Sequence, residues 1–205
     1  GEKYENKKES NLTETFEEIG ELPKDRSCSE NLNEQIYEMI ENDCSLAEII
    51  NEYPNAIRQI NNIEKTISMY KANKVKNIFR KLEVSYIYGA TGVGKTRTVM
   101  EHFGYENVYR VTNYKNPFDN YNGQDVILFD EFRSSLPISD MLVYLDGYPV
   151  NLPCRYSDKP ALYTKVYIIS NISLEKQYVE VQKYEPETYK AFLRRFTNEQ
   201  IELIG

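Results

Sequence analysis

The stretch Val84-Ser85-Tyr86-Ile87-Tyr88-Gly89-Ala90-Thr91-Gly92-Val93-Gly94-Lys95-Thr96 constrains this chain more than any other. A short, β-favouring apolar run feeds a glycine-rich loop, and the loop opens into a predicted helix over Arg97 to His102. This is the pattern G-x-x-x-x-G-K-[ST] in the strand–loop–helix setting that gives it meaning. Glycines let the backbone turn tightly there, so that N–H groups and the helix N-terminus can wrap phosphates. The pattern predicts nucleoside triphosphate binding by Gly89, Ala90, Thr91, Gly92, Val93, Gly94, Lys95, Thr96 and Arg97. Lys95 is expected on the β/γ-phosphates and the Thr96 hydroxyl on Mg²⁺.

A second stretch answers the first. Val126-Ile127-Leu128-Phe129-Asp130-Glu131 reads as a buried strand ending in two acids, 34 residues after Thr96. In an open α/β sheet such a strand delivers its first carboxylate beside the phosphate loop, where Asp130 can hold Mg²⁺. Glu131 is then suited to orient and deprotonate an attacking water. Val166-Tyr167-Ile168-Ile169-Ser170-Asn171 ends another strand on an amide. Next to the Asp130 strand, Asn171 would reach the γ-phosphate or the water; otherwise it simply terminates the strand or caps a turn. Arg194-Arg195 could supply positive charge for phosphoryl transfer, or form an ordinary solvated face.

The rest of the chain frames these motifs. Strands are predicted at Val84–Tyr88, Val108–Val111, Val126–Asp130 and Val166–Ser170, alternating as an α/β nucleotide-binding fold should. Residues 148–160 alternate around a turn-like middle and predict a projecting β-hairpin. Pro186 opens a helix whose apolar face is Tyr189, Phe192, Leu193 and Phe196, and Ile201/Leu203 add a last strand. Ahead of the phosphate loop, three short amphipathic helices are expected. Their stripes are Leu32/Ile36/Met39/Ile40, then Leu46/Ile49/Ile50/Tyr53 behind a Ser45-x-x-Glu48 capping box, then Ile60/Ile63/Ile67/Tyr70 beyond Pro54. Such helices must pack on the next domain, on each other or on a neighbouring copy. Lys71, Lys74, Lys76, Arg80 and Lys81 form a basic run that is either a solvated face or a polyanion path. Residues 1–27 are polar, acidic and aperiodic, and read as a linker or tail.

Composition excludes several classes. No run of about 18 apolar residues exists, so no membrane-spanning helix is expected. Cys28, Cys44 and Cys154 lie far apart in no metal-ligand spacing and read as reduced thiols of an intracellular protein. One histidine, His102, rules out a histidine metal cluster. The net charge of −7 argues against a polyanion only at first sight. Residues 1–70 hold 7 Lys/Arg against 16 Asp/Glu, whereas residues 71–205 hold 18 against 16. No secretory or lipidation signal is visible. The chain opens on Gly1 rather than Met, which reads as a trimmed chain with function removed upstream.

The order of these elements resembles a superfamily 3 helicase, above all the ATPase half of rolling-circle replication initiators (Rep) of circovirus-like DNA viruses and bacterial plasmids. Beyond the shared motifs, Phe118-Asp119-Asn120-Tyr121-Asn122-Gly123-Gln124 is similar to the family's aromatic-Asp-x-Tyr-x-Gly segment. Asp130-Glu131-Phe132 resembles its acid-acid-Phe motif, and Leu142 to Pro149 its helix leading into the hairpin. Ile169-Ser170-Asn171 resembles its motif C, and Phe192-Leu193-Arg194-Arg195-Phe196 its arginine-finger segment.

The resemblance implies an α/β P-loop NTPase (AAA+-like) with a parallel sheet core and a β-hairpin insertion, over residues 83–205. A small helical oligomerisation domain over 28–82 would precede it. It further implies a hexameric, ATP- and Mg²⁺-dependent helicase moving 3′→5′ on single-stranded DNA, with Arg155 gripping the backbone and Tyr156 and Lys159 as second choices. Lys95, Glu131, Asn171, Arg194 and Arg195 would carry catalysis. Intact family members begin with a nicking domain built on a histidine pair. With only His102 present, that upstream domain is expected to be absent here. A bacterial cytoplasm is favoured, or a host nucleus if the replicon is viral. The rival readings are a picornavirus-like RNA helicase and a nucleotide-gated ring that clamps nucleic acid without turnover.

Overall fold

The computed structural model describes residues 25–155 and 158–204. The segment 1–24, most of the expected linker, and Tyr156 in the hairpin lie outside the described residues. α1 (Asp25–Glu41) begins inside the stretch read as linker, so the helical region starts before residue 28.

α2 (Leu46–Glu52) starts on the expected capping box. The Glu48 N–H donates to Ser45 Oγ at 3.3 Å, and the Ser45 N–H donates back to Glu48 Oε2 at 2.7 Å. The reciprocal pair satisfies two otherwise orphaned donors. Pro54 ends the run and opens a 3₁₀ turn (Pro54–Gln59) leading into α3 (Ile60–Val75). Ile36, Ile40, Ile49, Ala56 and Ile63 are buried together, flanked by Leu32, Leu46, Ile50, Ile67 and Tyr70. Among the three expected arrangements, the stripes pack on each other.

The second part is an α/β layer. Its elements run β1 (Glu83–Gly89), α4 (Lys95–Phe103), β2 (Val108–Val111), β3 (Val126–Phe129), α5 (Ile138–Tyr144), β4 (Asn151–Leu152) and β5 (Lys159–Pro160). They continue through β6 (Lys165–Ser170), α6 (Val179–Tyr184), α7 (Pro186–Leu193) and β7 (Ile201–Leu203). Five strands form one parallel sheet in the order β2-β3-β6-β1-β7, and β4 pairs antiparallel with β5 as the hairpin. This is a P-loop NTPase fold.

Both faces of the sheet are covered, and strand alternation sorts the side chains between them. Val84, Tyr86, Ile127, Phe129, Val166 and Ile168 face a large aromatic core with Phe118, Tyr121, Met141, Tyr144, Tyr163, Tyr189 and Phe192. Ile87, Val126, Leu128 and Ile169 face the other way, onto Val99, Met100 and Phe103 of α4. At about 25 cal/mol per Å² of apolar surface removed from water, these two layers dominate the stability of the domain. Leu193, expected on the apolar face of α7, is exposed at 38%, while Tyr189 and Phe192 carry the packing.

Arg80 corrects the reading of the basic run. It is 5% exposed, with its guanidinium over the Tyr163 ring and donating to the carbonyls of Tyr163, Asp146 and Tyr148. It therefore ties the connector from α3 to the approach of the hairpin and is no part of a solvated stripe. Lys74 pairs instead with Asp43 of the helical part.

Parallel register brings the C-terminal ends of three strands to one edge. Tyr88 pairs with Ser170 and Phe129 with Ile168, so Gly89, Asp130 and Asn171 emerge side by side. Ligands bind at such an edge in open α/β sheets.

Candidate nucleotide site

Gly89 leaves β1 where a Cβ would stand 2.2 Å from the Leu203 carbonyl oxygen of β7, so only glycine permits that strand to pair there. Gly94 takes φ 86° at the N-cap of α4, a left-handed turn that aims the first helical amides into the loop. A cavity of about 550 Å³ opens above them, lined among others by Gly92, Lys95, Thr96, Asp130, Glu131 and Asn171. The structure thus gathers most of the expected site residues in one place. Gly89, Ala90 and Val93 are not among its lining residues.

Lys95 is 9% exposed, and its Nζ donates to the carbonyls of Gly89 (2.8 Å) and Ala90 (2.6 Å). The ammonium is stored inside its own loop, within a side-chain rotation of the cavity. Thr96 Oγ1 donates to Asp130 Oδ1 at 2.8 Å, and the Glu131 N–H donates to the same oxygen at 3.1 Å. Asp130 is 3% exposed. Its second oxygen accepts from Arg110 Nε at 2.7 Å and Nη2 at 2.5 Å. Hard oxygens from Thr96 and Asp130, set beside a phosphate loop, suit a cation such as Mg²⁺ that keeps several waters. The Tyr114 hydroxyl donates to the Asp130 carbonyl at 2.7 Å; burial, then the charges of Asp130 and Glu131, push this phenol far above its usual range.

Glu131 is exposed to the cavity at φ 51°, a left-handed conformation for a residue with a Cβ. Such backbone is strained and persists only when its surroundings hold it. They do. The Phe132 N–H donates to Ile169 O, Ser170 Oγ donates to Phe132 O, and the buried Gln177 donates from Nε2 to Phe132 O, Tyr86 OH and Ser170 Oγ. Ser134, also at φ 51°, donates to Gln177 Oε1. This polar network fixes the loop after β3 against the end of β6. Gln177 carried no signal in the sequence, since nothing there says which distant loop it meets.

Arg110 and Arg133 were also missed, although both line the cavity. Arg110 had a legible sign, being a charge in the middle of the short strand Val108–Val111. Arg133 Nε donates to Asn171 Oδ1 at 2.9 Å.

Of the other expected residues, Arg155, Lys159, Arg194 and Arg195 are not among those lining the cavity. Arg195 donates from Nη2 to Asp146 Oδ2 at 2.6 Å, and its buried Nε has no partner among the described residues. Arg194 is exposed, and among the described residues it is held only by a long 3.4 Å contact from Nε to Lys190 O. On the hairpin, Arg155 pairs with Asp119, while Lys159 Nζ donates inward to the carbonyls of Asp119 and Tyr121. Arg97, at the cavity rim, pairs with Glu101. No cluster of three metal-ligating side chains occurs among the described residues, and no described helix is long and apolar enough to cross a membrane.

Residues 85–171 match the protein-family model described as RNA helicase. The chain is 32% identical to the replication-associated protein of canary circovirus over 110 residues, covering 54% of this chain and 37% of that protein. It is 34% identical to that of beak and feather disease virus over 117 residues, covering 57% and 38%. Against a human-associated cyclovirus the figures are 28% over 156 residues, covering 74% and 54%. The chain thus spans between about a third and a half of these relatives' length. The matched family span runs from the strand feeding the phosphate loop to Asn171 and so encloses the residues that line the cavity; over this part of its length the chain is similar to helicase domains and to the replication-associated proteins of circoviruses.

Proposed function

We propose that this domain hydrolyses ATP and uses the cycle to move 3′→5′ along single-stranded DNA during replication initiation. The observation that carries the reading is the convergence of Lys95, Thr96, Asp130, Glu131 and Asn171 on one cavity at the ends of β1, β3 and β6. In this reading Lys95 leaves the Gly89 and Ala90 carbonyls for the β/γ-phosphates. Thr96 and Asp130 would hold Mg²⁺, which when bound neutralises charge on those phosphates. Glu131 takes a proton from water as the water oxygen attacks the γ-phosphorus, and the bond to the bridging oxygen breaks to leave ADP and phosphate. Asn171 positions the terminal phosphate or the water.

An arginine supplied by a neighbouring copy completes the charge. Arg194 suits this role better than Arg195, which is engaged with Asp146 of its own protomer. The helical part is the assembly element, because Tyr37, Ile57 and Met69 stay 48%, 59% and 59% exposed around its core. A hexameric ring would then present the hairpin residues Arg155 and Tyr156 to the DNA backbone, with Lys159 bracing the hairpin. In the intact protein a nicking domain would stand upstream.

The test is ATP hydrolysis by this chain alone, with single-stranded DNA and with single-stranded RNA. Stimulation by DNA and loss of turnover in Lys95→Ala support the reading. Preference for RNA would replace DNA as the track, and nucleotide binding without turnover would reduce the protein to a clamp.

A further inference from the structure

Arg133 stands in the cavity wall, on the loop after β3. Its neighbours Glu131 and Ser134 both take φ 51°. The peptide before it is fixed by Phe132 N–H to Ile169 O, and by Ser170 and Gln177 donating to Phe132 O. Its own N–H donates to Ser135 Oγ at 3.1 Å. The residue after it is held by Ser134 Oγ, which donates to Gln177 Oε1 and accepts the Tyr178 N–H. Backbone strain held in place on both sides of one side chain fits a pre-set functional geometry better than a surface turn.

The side chain is also aimed. Arg133 Nε donates to Asn171 Oδ1 at 2.9 Å, which occupies one edge of the guanidinium, and its Nη groups have no partner among the described residues. The same bond settles the orientation of Asn171: its oxygen faces Arg133, so its amide N–H₂ is the donor left for the cavity. The end of β6 and the loop after β3 therefore present the amide donors of Asn171 and the guanidinium donors of Arg133 side by side. A guanidinium with free Nη groups is matched to phosphate oxygens, which it can bind in a fork.

We propose that Arg133, oriented by Asn171, binds the terminal phosphate of the nucleotide held by its own protomer and so distinguishes triphosphate from diphosphate. This rests on the nucleotide-site reading above and deepens it. The pair is separate from any arginine donated across a subunit boundary, because both members belong to the protomer whose loop holds the nucleotide. It differs from Lys95 too, which serves β- and γ-phosphates together.

The experiment is equilibrium binding of a non-hydrolysable ATP analogue and of ADP, each with Mg²⁺, to the full chain and to its Arg133→Ala, Arg133→Lys and Lys95→Ala variants. Arg133→Ala is expected to weaken the analogue by roughly ten- to a hundredfold, the range for losing a hydrogen bond to a charged group. ADP affinity should stay within about twofold. Arg133→Lys keeps the charge but not the fork, and should fall between wild type and alanine. Lys95→Ala should weaken both ligands. Equal weakening of analogue and ADP by Arg133→Ala, or no change in either, overturns the proposal. Wild-type protein that binds neither ligand overturns the nucleotide-site reading itself, and this inference with it.

Discussion

The Thr96 hydroxyl lies 2.8 Å from Asp130 Oδ1, joining the first turn of the phosphate-loop helix to the end of β3. The other Asp130 oxygen is taken by Arg110, so a carboxylate that is 3% exposed has both oxygens engaged by the protein itself. A buried carboxylate needs such partners, because its desolvation is otherwise uncompensated. If Mg²⁺ is held by Asp130 as proposed, Arg110 is the partner it would displace.

Arg110→Met removes that partner while keeping much of the side-chain bulk. The variant should lose about 1–3 kcal/mol of stability in EDTA, as an under-satisfied buried charge requires. Mg²⁺ should recover more of that loss than it adds to wild type, because it binds the folded state alone. Urea denaturation of both proteins with and without Mg²⁺ measures this. An identical gain in the two would show that Arg110 and the cation do not share Asp130.

Glu131, the proposed base, stands on strained backbone. Its left-handed backbone costs a residue with a Cβ about 1–2 kcal/mol, and glycine escapes most of that cost while losing some to unfolded-state entropy. Glu131→Gly should therefore be more stable than wild type by roughly 0.5–1 kcal/mol and yet turn over no ATP. Glu131→Gln keeps the Cβ and should show the second effect without the first, while still binding nucleotide. Thermal denaturation together with phosphate release separates the two. Turnover at the wild-type rate in either variant would remove Glu131 from the chemistry.

The parts of this site that are local in sequence were legible there. The loop from Gly89 to Thr96 and the strand ending at Asp130 each announce themselves through spacing and apolar run, and the hairpin through its alternation. What escaped depends on pairings across the sheet. Arg110 reaches Asp130 only because β2 lies beside β3, and Arg133 reaches Asn171 only because β6 follows β3 in the sheet. Gln177 acts across loops that composition cannot bring together. Arg80 was misread for a related reason: a cation in a basic run reads as surface until the carbonyls that bury it are known.

The hairpin anchor should be sensitive to acid. The backbone N–H of Arg155, 3.0 Å from Asp119 Oδ1, is the main cause that holds this carboxyl below its usual pKa, and the Arg155 guanidinium adds to it. A folded-state pKa below the unfolded value contributes stability in full above the ordinary carboxylate pKa of about 4. That contribution is lost as pH falls through the depressed folded value. Carbon NMR of the Asp119 carboxyl should give a midpoint below that of an unstructured aspartate. In Arg155→Ala the midpoint should rise only part of the way, since alanine keeps the N–H that matters most. Full recovery of the ordinary value would assign the effect to the guanidinium instead.

The two C-terminal arginines separate by their partners. Arg195 is tied to Asp146, on the connector that Arg80 also grips, so its role within the protomer is to brace α7 against the approach to the hairpin. Arg195→Ala should cost about 1–2 kcal/mol for a partly buried pair, measurable as a lower urea midpoint. Arg194 has no such tie, and Arg194→Ala should leave stability unchanged while abolishing ATP turnover in assembled protein. Mixing Arg194→Ala with Lys95→Ala then decides where the arginine acts. The first supplies an intact phosphate loop and the second an intact arginine, so in a randomly mixed ring about a quarter of the interfaces combine both. Turnover recovered toward that fraction places Arg194 in the neighbour's site. A mixture as inactive as its components would mean that the arginine serves its own protomer or none.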